Sequence, residues 1–464
     1  MAAQARSGGS ALTSESFTGR MPTRSGDLAV ETHGIAPVPP SNRYGHAARL
    51  FTVWFAPQVN MTVLFTGTLA FALGLGFWLG LLAMAIGTVL GCVVVAYLST
   101  WGPRTGTAQL PNARMAFGST VTVVAVIQWL SAVAWDGLVG LFGGEALAAL
   151  LGIPFWAAVL IVLAAQGAVG IFGYEVIHRM QAVMTVLLTI TFAVFTVRLL
   201  GGHQVVTPPT ESGPGLAAAF VMEVTIALSV SISWASYASD YSRYLPARTS
   251  RAAVFGYTFA GLASAYVAVQ AIGIAAGSLV ADQSAEGVRS VMGGGVLGAL
   301  ALVAITFGAV ASNAMNDYSG SLALQTVGVK VRRPVSAAVV AVIAFGLIMW
   351  LYSGNLTERF QGVLLFVSYW VPAFVAIVTI DWRRRSAGRD LIDPAAETTS
   401  RVDALAALAS FILAFAAAVP FMNTSLFVGP VADRLHGADL AYFVNFVVAA
   451  ALYGGYRLIR RNQH

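Results

Sequence analysis

The sequence predicts an all-α polytopic membrane protein of about 12 transmembrane helices, and three observations carry that expectation. The first is composition: 57% of the 464 residues are hydrophobic and 10% charged, against about a quarter charged in soluble domains, and the mean hydropathy is +0.76. The second is the length of the uncharged runs. Leu50 to Pro103 holds no Asp, Glu, Lys or Arg, enough for two helices at about 20 residues per crossing. The third is the placement of cations, which are retained on the cytoplasmic side. With the N-terminal tail inside, 22 of the 26 Lys and Arg residues fall on inner segments, leaving Arg198, Arg289, Arg359 and Arg434 outside. A missed helix would invert every later loop, so the asymmetry supports the span count and puts both termini in the cytoplasm.

Taken in order, residues 1–49 are polar, rich in Ser, Thr, Gly and Pro, and begin without an apolar core segment. They read as a flexible cytosolic tail rather than a cleaved signal. Apolar runs between charged or Pro/Gly punctuation then give spans at 50–74, 77–100, 116–147, 154–174, 181–200, 216–239, 253–280, 293–325, 335–353, 361–380, 402–421 and 440–458. The alternating ten-residue strands of a barrel are absent. The single cysteine, Cys92, excludes an internal disulfide and a cysteine metal cage. The histidines, His33, His46, His178, His203, His436 and His464, form no metal-ligand motif, and no HExxH, Walker A or GxSxG pattern occurs. Neither an enzyme nor a resident cofactor is expected. The pI near 9.6 needs no nucleic acid, because the basic surplus faces the cytosol and its anionic lipids.

Polar groups inside spans are costly unless they face a cavity or a partner helix, and four places carry them. In the first span, VWFAPQVNM puts Pro57 in mid-helix, which frees the carbonyl of Val53 for another partner. Gln58 and Asn60 stand beside it, either as a kink with amides bonded to neighbouring helices or as an unwound segment whose carbonyls hold a cation. In the third span, AVAWDGLVGLFGGEAL joins Trp135 to Asp136, an acid that must be paired or protonated at that depth. In the eighth, AVASNAMNDYSGSLALQ places Ser312, Asn316 and Ser319 on one helical face, with Asn313, Asn316 and Asp317 on an adjacent stripe. This polar face lines a wet pocket or glues helices together. In the sixth, SISWASYASDYSRYLP surrounds Trp234 with Ser231, Ser233, Ser236 and Ser239. Those hydroxyls can satisfy backbone carbonyls and tolerate local unwinding. Asp240 and Arg243 mark the inner end, as a loop anchor or an inner gate.

These motifs, together with GIAPVPPSNR before the first span and the inner loop GPRTGTAQLPNARMAFG, resemble the nucleobase:cation symporter family that contains the purine and cytosine permeases. The resemblance runs from about residue 34 to 330 and is weak afterwards. It implies a leucine-transporter-type fold, with a first five-span repeat over 50–200, an inverted second copy over 201–380, and two further helices in 381–464. By the same resemblance, Trp135 and Trp234 would sandwich a planar ring, aromatic stacking being worth about 1–3 kcal/mol per base. Asn313, Asn316 and Gln58 would read its edges, with Ser233 beside them. Related transporters often carry an amide four residues after the third-span tryptophan; here that position is Val139, and Asp136 stands beside the tryptophan instead.

For the coupling ion, sodium-driven relatives use first-span carbonyls, here near Val53, Ala56 and Pro57, with Ser312 of the eighth span. Ala311 stands where some relatives have a second hydroxyl. Proton coupling through Asp136 or Asp317 is the competing expectation. The implied function is a secondary-active symporter of the cell membrane that imports cytosine or a purine by alternating access. The rival readings are another planar heterocycle (a hydantoin, allantoin, uracil or a pyrimidine-like vitamin) and, from a different class, a solute channel. The partners expected are the small-molecule substrate and the lipid bilayer, without nucleic acid; the sequence leaves the oligomeric state open.

Overall fold

The computed structural model describes residues 33–172, 174–201, 205–279, 284–329, 333–394 and 396–461. Most of the expected tail, His203 and His464 lie outside them. Among the described residues ten helices are long and apolar enough to cross a membrane. Two shorter apolar helices, Met61–Ala72 and Phe155–Phe172, stand where the first and fourth spans are expected.

The first span is broken. An α-helix, Arg49–Phe55, gives way to a tight turn, Ala56–Gln58, because Pro57 lacks the N–H that the Val53 carbonyl needs. Asn60 is fully extended and starts the second half at Met61, its side chain accepting from the Val63 N–H at 2.9 Å as an N-cap. The sixth span breaks without Pro or Gly. Its α-helix, Gly213–Ile232, tightens into a 3-10 turn, Ser233–Tyr237, and turns continue to Tyr244. Serines make this tolerable by taking carbonyls three or four residues back: Ser231 to Ala227 at 2.8 Å, Ser233 to Val230 at 2.8 Å and Ser236 to Ser233 at 3.3 Å. Beyond the break, Ser239 and Ser242 donate to Leu98 at 3.1 Å and Ser99 at 2.7 Å, tying the loosened chain to the second span, Gly76–Ser99.

The long third and eighth spans, Val121–Leu151 and Gly295–Val327, pack against each other. Gly143 permits their approach, since a Cβ there would lie 2.6 Å from the Ala309 methyl. Gly87 does the same for the second and sixth, where a Cβ would meet the Val224 carbonyl at 2.2 Å.

Several elements differ from the expected pattern: the fifth span is Tyr174–Leu200 rather than 181–200, and a short helix, Ala285–Val291, precedes the eighth. The third span starts at Val121 rather than 116, because the inner loop folds into two buried helices, Gly102–Thr105 and Gln109–Phe117, closed by Gly118 at φ +51°. The tenth span runs over Leu356–Ser386 rather than 361–380. It is interrupted between Phe366 and Val371, where Pro372 can only begin a helix. The loop before the last span holds a short antiparallel hairpin, Asn423 opposite Val428, which a reading for membrane spans does not seek.

Candidate functional site

The broken middles of the first and sixth spans lie side by side, and aromatic contacts hold them there. Trp54 meets Trp234 edge-to-face at 5.7 Å and 82°, and meets Tyr241 at 5.4 Å. Tyr237 closes on the other edge of Trp234 at 5.6 Å. The Trp234 indole N–H donates to the Tyr266 hydroxyl at 2.8 Å, which donates to the Val230 carbonyl at 3.1 Å. This chain fixes the plane of Trp234, since edge-to-face pairs and a buried indole hydrogen bond both restrict rotation.

A cavity opens beside that plane. Its walls include Gln58 and Asn60 of the first span, Trp135 and Val139 of the third, Ser233, Trp234 and Tyr237 of the sixth, Tyr266 of the seventh, and Ser312 and Asn316 of the eighth. Its volume is about 20 Å³. The walls therefore stand close, and a ring enters only as they part. The Gln58 side-chain amide nitrogen is buried there without a partner, an arrangement that is costly unless something else accepts from it.

Of the expected substrate residues, the fold gathers Gln58, Trp135, Ser233, Trp234 and Asn316 on this one cavity. It does not gather Asn313 or Asp136. The Asn313 amide donates to Gln166 at 2.7 Å and to the Asp136 backbone carbonyl at 3.1 Å, while its oxygen accepts from Asn316 at 3.2 Å. Asn313 thus holds Asn316 in place and makes no wall. Asp136 follows Trp135 directly on one continuous helix, and neighbouring residues there do not share a face. Its carboxyl group lines a different cavity, between the third, fourth, eighth and ninth spans, with Trp129, Asn316, Asp317, Ser321 and Ser336.

The expected cation oxygens also divide. The Ala56 carbonyl accepts from the Val59 N–H at 3.1 Å, and the Pro57 carbonyl accepts from Asn60. The eighth-span carbonyl next to Ser312, that of Ala311, accepts from Gln181 of the fifth span at 2.7 Å. Val53 is buried at the break, and Ser312 faces the aromatic cavity. At the inner end, Asp240 accepts from the Gln109 N–H at 2.8 Å. The Arg243 guanidinium, fully buried, donates to Gly34 at 2.6 Å, Tyr318 at 2.8 Å and Tyr244 at 3.0 Å. These contacts staple the N-terminal approach to the sixth and eighth spans, an anchoring geometry.

Of the further walls, Asn60 stands out in the sequence only as an amide beside the first break, and Tyr237 and Tyr266 are not expected from it. Tyr237 lay within the serine and tryptophan cluster that flagged the sixth span, so spacing could have found it. Tyr266 is one aromatic in a long apolar helix and carries no local signal.

Comparison with known proteins extends the resemblance over most of the chain. Residues 37–445 match the family model described as a permease for cytosine/purines, uracil, thiamine, allantoin, well past the weakening expected near residue 330. The chain is 27% identical to the putative purine-cytosine permease YxlA of Bacillus subtilis (strain 168), over 92% of this chain and 95% of that one. It is 24% identical to the vitamin B6 transporter TPN1 of Saccharomyces cerevisiae, over 76% of this chain and 65% of that one. Among solved structures, Mhp1, a nucleobase-cation-symport-1 family transporter in a closed conformation with bromovinylhydantoin bound, superposes with a TM-score of 0.72 at 18% identity, covering 94% of this chain and 97% of that one. A sodium-coupled sialic acid symporter superposes at 0.64 with 11% identity, covering 94% and 93%. The fold is thus that of the Mhp1-like transporters, and the chain, a membrane permease and not an enzyme, belongs to the family of permeases for cytosine/purines, uracil, thiamine and allantoin.

Proposed function

We propose that the protein is a secondary-active symporter that imports a nucleobase, cytosine or a purine, coupled to a cation by alternating access across the cell membrane, with both termini cytoplasmic. One observation carries the reading: two tryptophans from different helices and a buried unpartnered amide, Gln58, share one narrow cavity at the breaks of two spans. Flat faces suit a planar ring, and amide edges suit its donors and acceptors. Binding then couples to gating, because the walls must part to admit the ring and close again around it. Trp135 and Trp234 stack on the ring, Gln58 and Asn316 read its edges, and Ser233 lies at the rim. Asp240 and Arg243 anchor the inner mouth. Broken first and sixth spans are what two inverted copies, 50–200 and 201–380, would place together.

A second reading keeps the same site and changes the ring. Val139 gives the cavity an apolar wall where related transporters often have an amide, which favours a heterocycle with one fewer polar edge. The test is uptake of labelled cytosine into proteoliposomes, competed by adenine, uracil, hydantoin, allantoin and pyridoxine, with counterflow exchange measured alongside. Competition by cytosine or a purine at the lowest concentration supports the first reading, and competition by a hydantoin, allantoin, uracil or the vitamin supports the second. Gradient-indifferent flux without counterflow would show a channel and overturn both.

A further inference from the structure

The cavity that received Asp136 has its own construction. Asp136 is fully buried, and the Asp317 carboxyl group faces it from the eighth span. The Asn316 amide is the side-chain donor that reaches the Asp136 carboxyl group; among the described residues Asp317 Oδ2 has no hydrogen-bond partner, and neither has the indole nitrogen of Trp129 on the same wall. Gly170 of the fourth span lets the helices close over the pair, since a Cβ there would lie 2.9 Å from the Asp317 Cβ. The cavity admits the centre of a water-sized sphere over about 20 Å³, enough for one water molecule at about 10–15 Å³.

We propose that Asp136 and Asp317 form a carboxyl pair that binds and releases the coupling proton, at a site in the helical scaffold separate from the ring cavity. The proposal rests on the symporter reading above. Two carboxylates facing each other without a cationic partner cannot both stay ionised in a low-dielectric interior. One added proton forms an O–H bond on one carboxyl and a hydrogen bond to the other; breaking that O–H bond returns the proton to water. The groups around the pair supply no counter-charge. No Lys, Arg or His among the described residues lines the cavity, the fourth and ninth spans contribute Gly167, Gly170, Ser336, Ala337 and Val340, and Tyr237 is the titratable group of the sixth span that faces Asp136. Ser321 and Ser336 extend the cavity towards the ends of the eighth and ninth spans assigned to the cytoplasm, which gives the proton an inner exit. Of the carbonyls expected near a sodium site, those of Ala56, Pro57 and Ala311 each already accept one N–H, which leaves one lone pair apiece.

Asn316 is the link. It lines both cavities and is held by Asn313. Protonation of the acid pair changes what Asn316 faces on one side, and ring binding changes what it faces on the other.

The test uses purified full-length protein and the variants Asp136→Asn and Asp317→Asn. Infrared titration without substrate reads the acid pair in the difference between wild type and variants, because the buried, unpartnered Glu223 carboxyl group of the sixth span can add a band of its own: a protonated-carboxyl C=O component at neutral pH, present in the wild type and lost in both variants, is expected. The absence of a component that both variants remove overturns the proposal, whatever the substrate proves to be. In proteoliposomes, both variants should keep counterflow exchange of labelled cytosine, or of whichever ring competes best, while losing accumulation driven by an imposed pH gradient. Undiminished gradient-driven accumulation in either variant, or accumulation that follows sodium and ignores the protonophore, also overturns it. Failure of every ring to bind sinks the symporter reading while leaving the infrared result standing.

Discussion

Two cavities of similar size meet at Asn316, and they are built from opposite materials. One is walled by Trp135, Trp234, Tyr237 and Tyr266, with amides at its edge; the other by two carboxyl groups, small residues and serines. The first sits where two helices are broken, so part of its wall, Gln58, Asn60, Ser233, Trp234 and Tyr237, belongs to segments with loosened backbone hydrogen bonding. The second sits among unbroken stretches of the third and eighth spans, the scaffold of the molecule. Aromatic faces recognise shape and tolerate movement, whereas an acid pair of one buried and one half-buried carboxyl group needs fixed geometry to hold one proton between them. A site for a flat ring and a site for a proton are thereby kept apart, yet joined through one asparagine.

The largest expected effect breaks the first cavity alone. Trp234→Ala removes the stacking face, worth about 1–3 kcal/mol or roughly 5- to 150-fold in affinity, and the anchor of Tyr266 with it. Uptake should fall to background while the protein still reaches the membrane, as shown by surface labelling; normal uptake would sink the assignment of the ring site. Next in size, Asn316→Ala touches both cavities. It should raise the KM for the ring by about 5- to 150-fold, the range for losing a buried hydrogen-bonding partner, and also weaken gradient-driven accumulation. An effect on KM alone would show that the two cavities are not joined there.

A third acid sharpens the contrast. Asp439, in the loop before the last span, accepts from the Asn423 and Ala441 N–H groups at 2.9 Å each and from the Tyr369 hydroxyl. Burial nevertheless pushes its carboxyl up to about 6. Because the folded protein then binds the proton more tightly than the unfolded chain does, stability should rise as pH falls from above 6 towards 4, by of the order of 2 kcal/mol. Thermal unfolding in detergent at pH 8 and pH 5 should show this slope in the wild type and a flatter one in Asp439→Asn. Equal slopes would remove Asp439 as its source. The smallest effect is on selectivity: Val139→Gln should shift competition among rings by about tenfold or less, as expected for one added hydrogen bond of about 1 kcal/mol, with transport retained. No change in the ranking of competitors would place Val139 away from the bound ring.

Much of this was legible from the chain. The spans followed from hydropathy, because a bilayer demands long apolar helices whatever their neighbours do. Pro57 announced the first break, since a missing N–H is a local fact. The sixth-span break was readable only through its serines, which mark tolerance of unwinding rather than unwinding itself. Asn313 and Asp136 were harder. Both are polar residues next to true wall residues, and sequence spacing could not say which side of the helix each would present or that Gln166 would take the Asn313 amide. The burial of Gln109 in the inner loop was likewise hidden, because its partners, Ser239 and Asp240, lie far away in sequence.

By itself the sequence determined a helical membrane protein, the places where its helices carry polar groups, and a family pattern, since each depends on local composition and spacing. Only the tertiary structure decided the partition of those polar groups between an aromatic cavity and an acid cavity. A helix turns about 100° per residue, so Trp135 and Asp136 could meet the same ligand or two different ones. The helices packed on each side settled it.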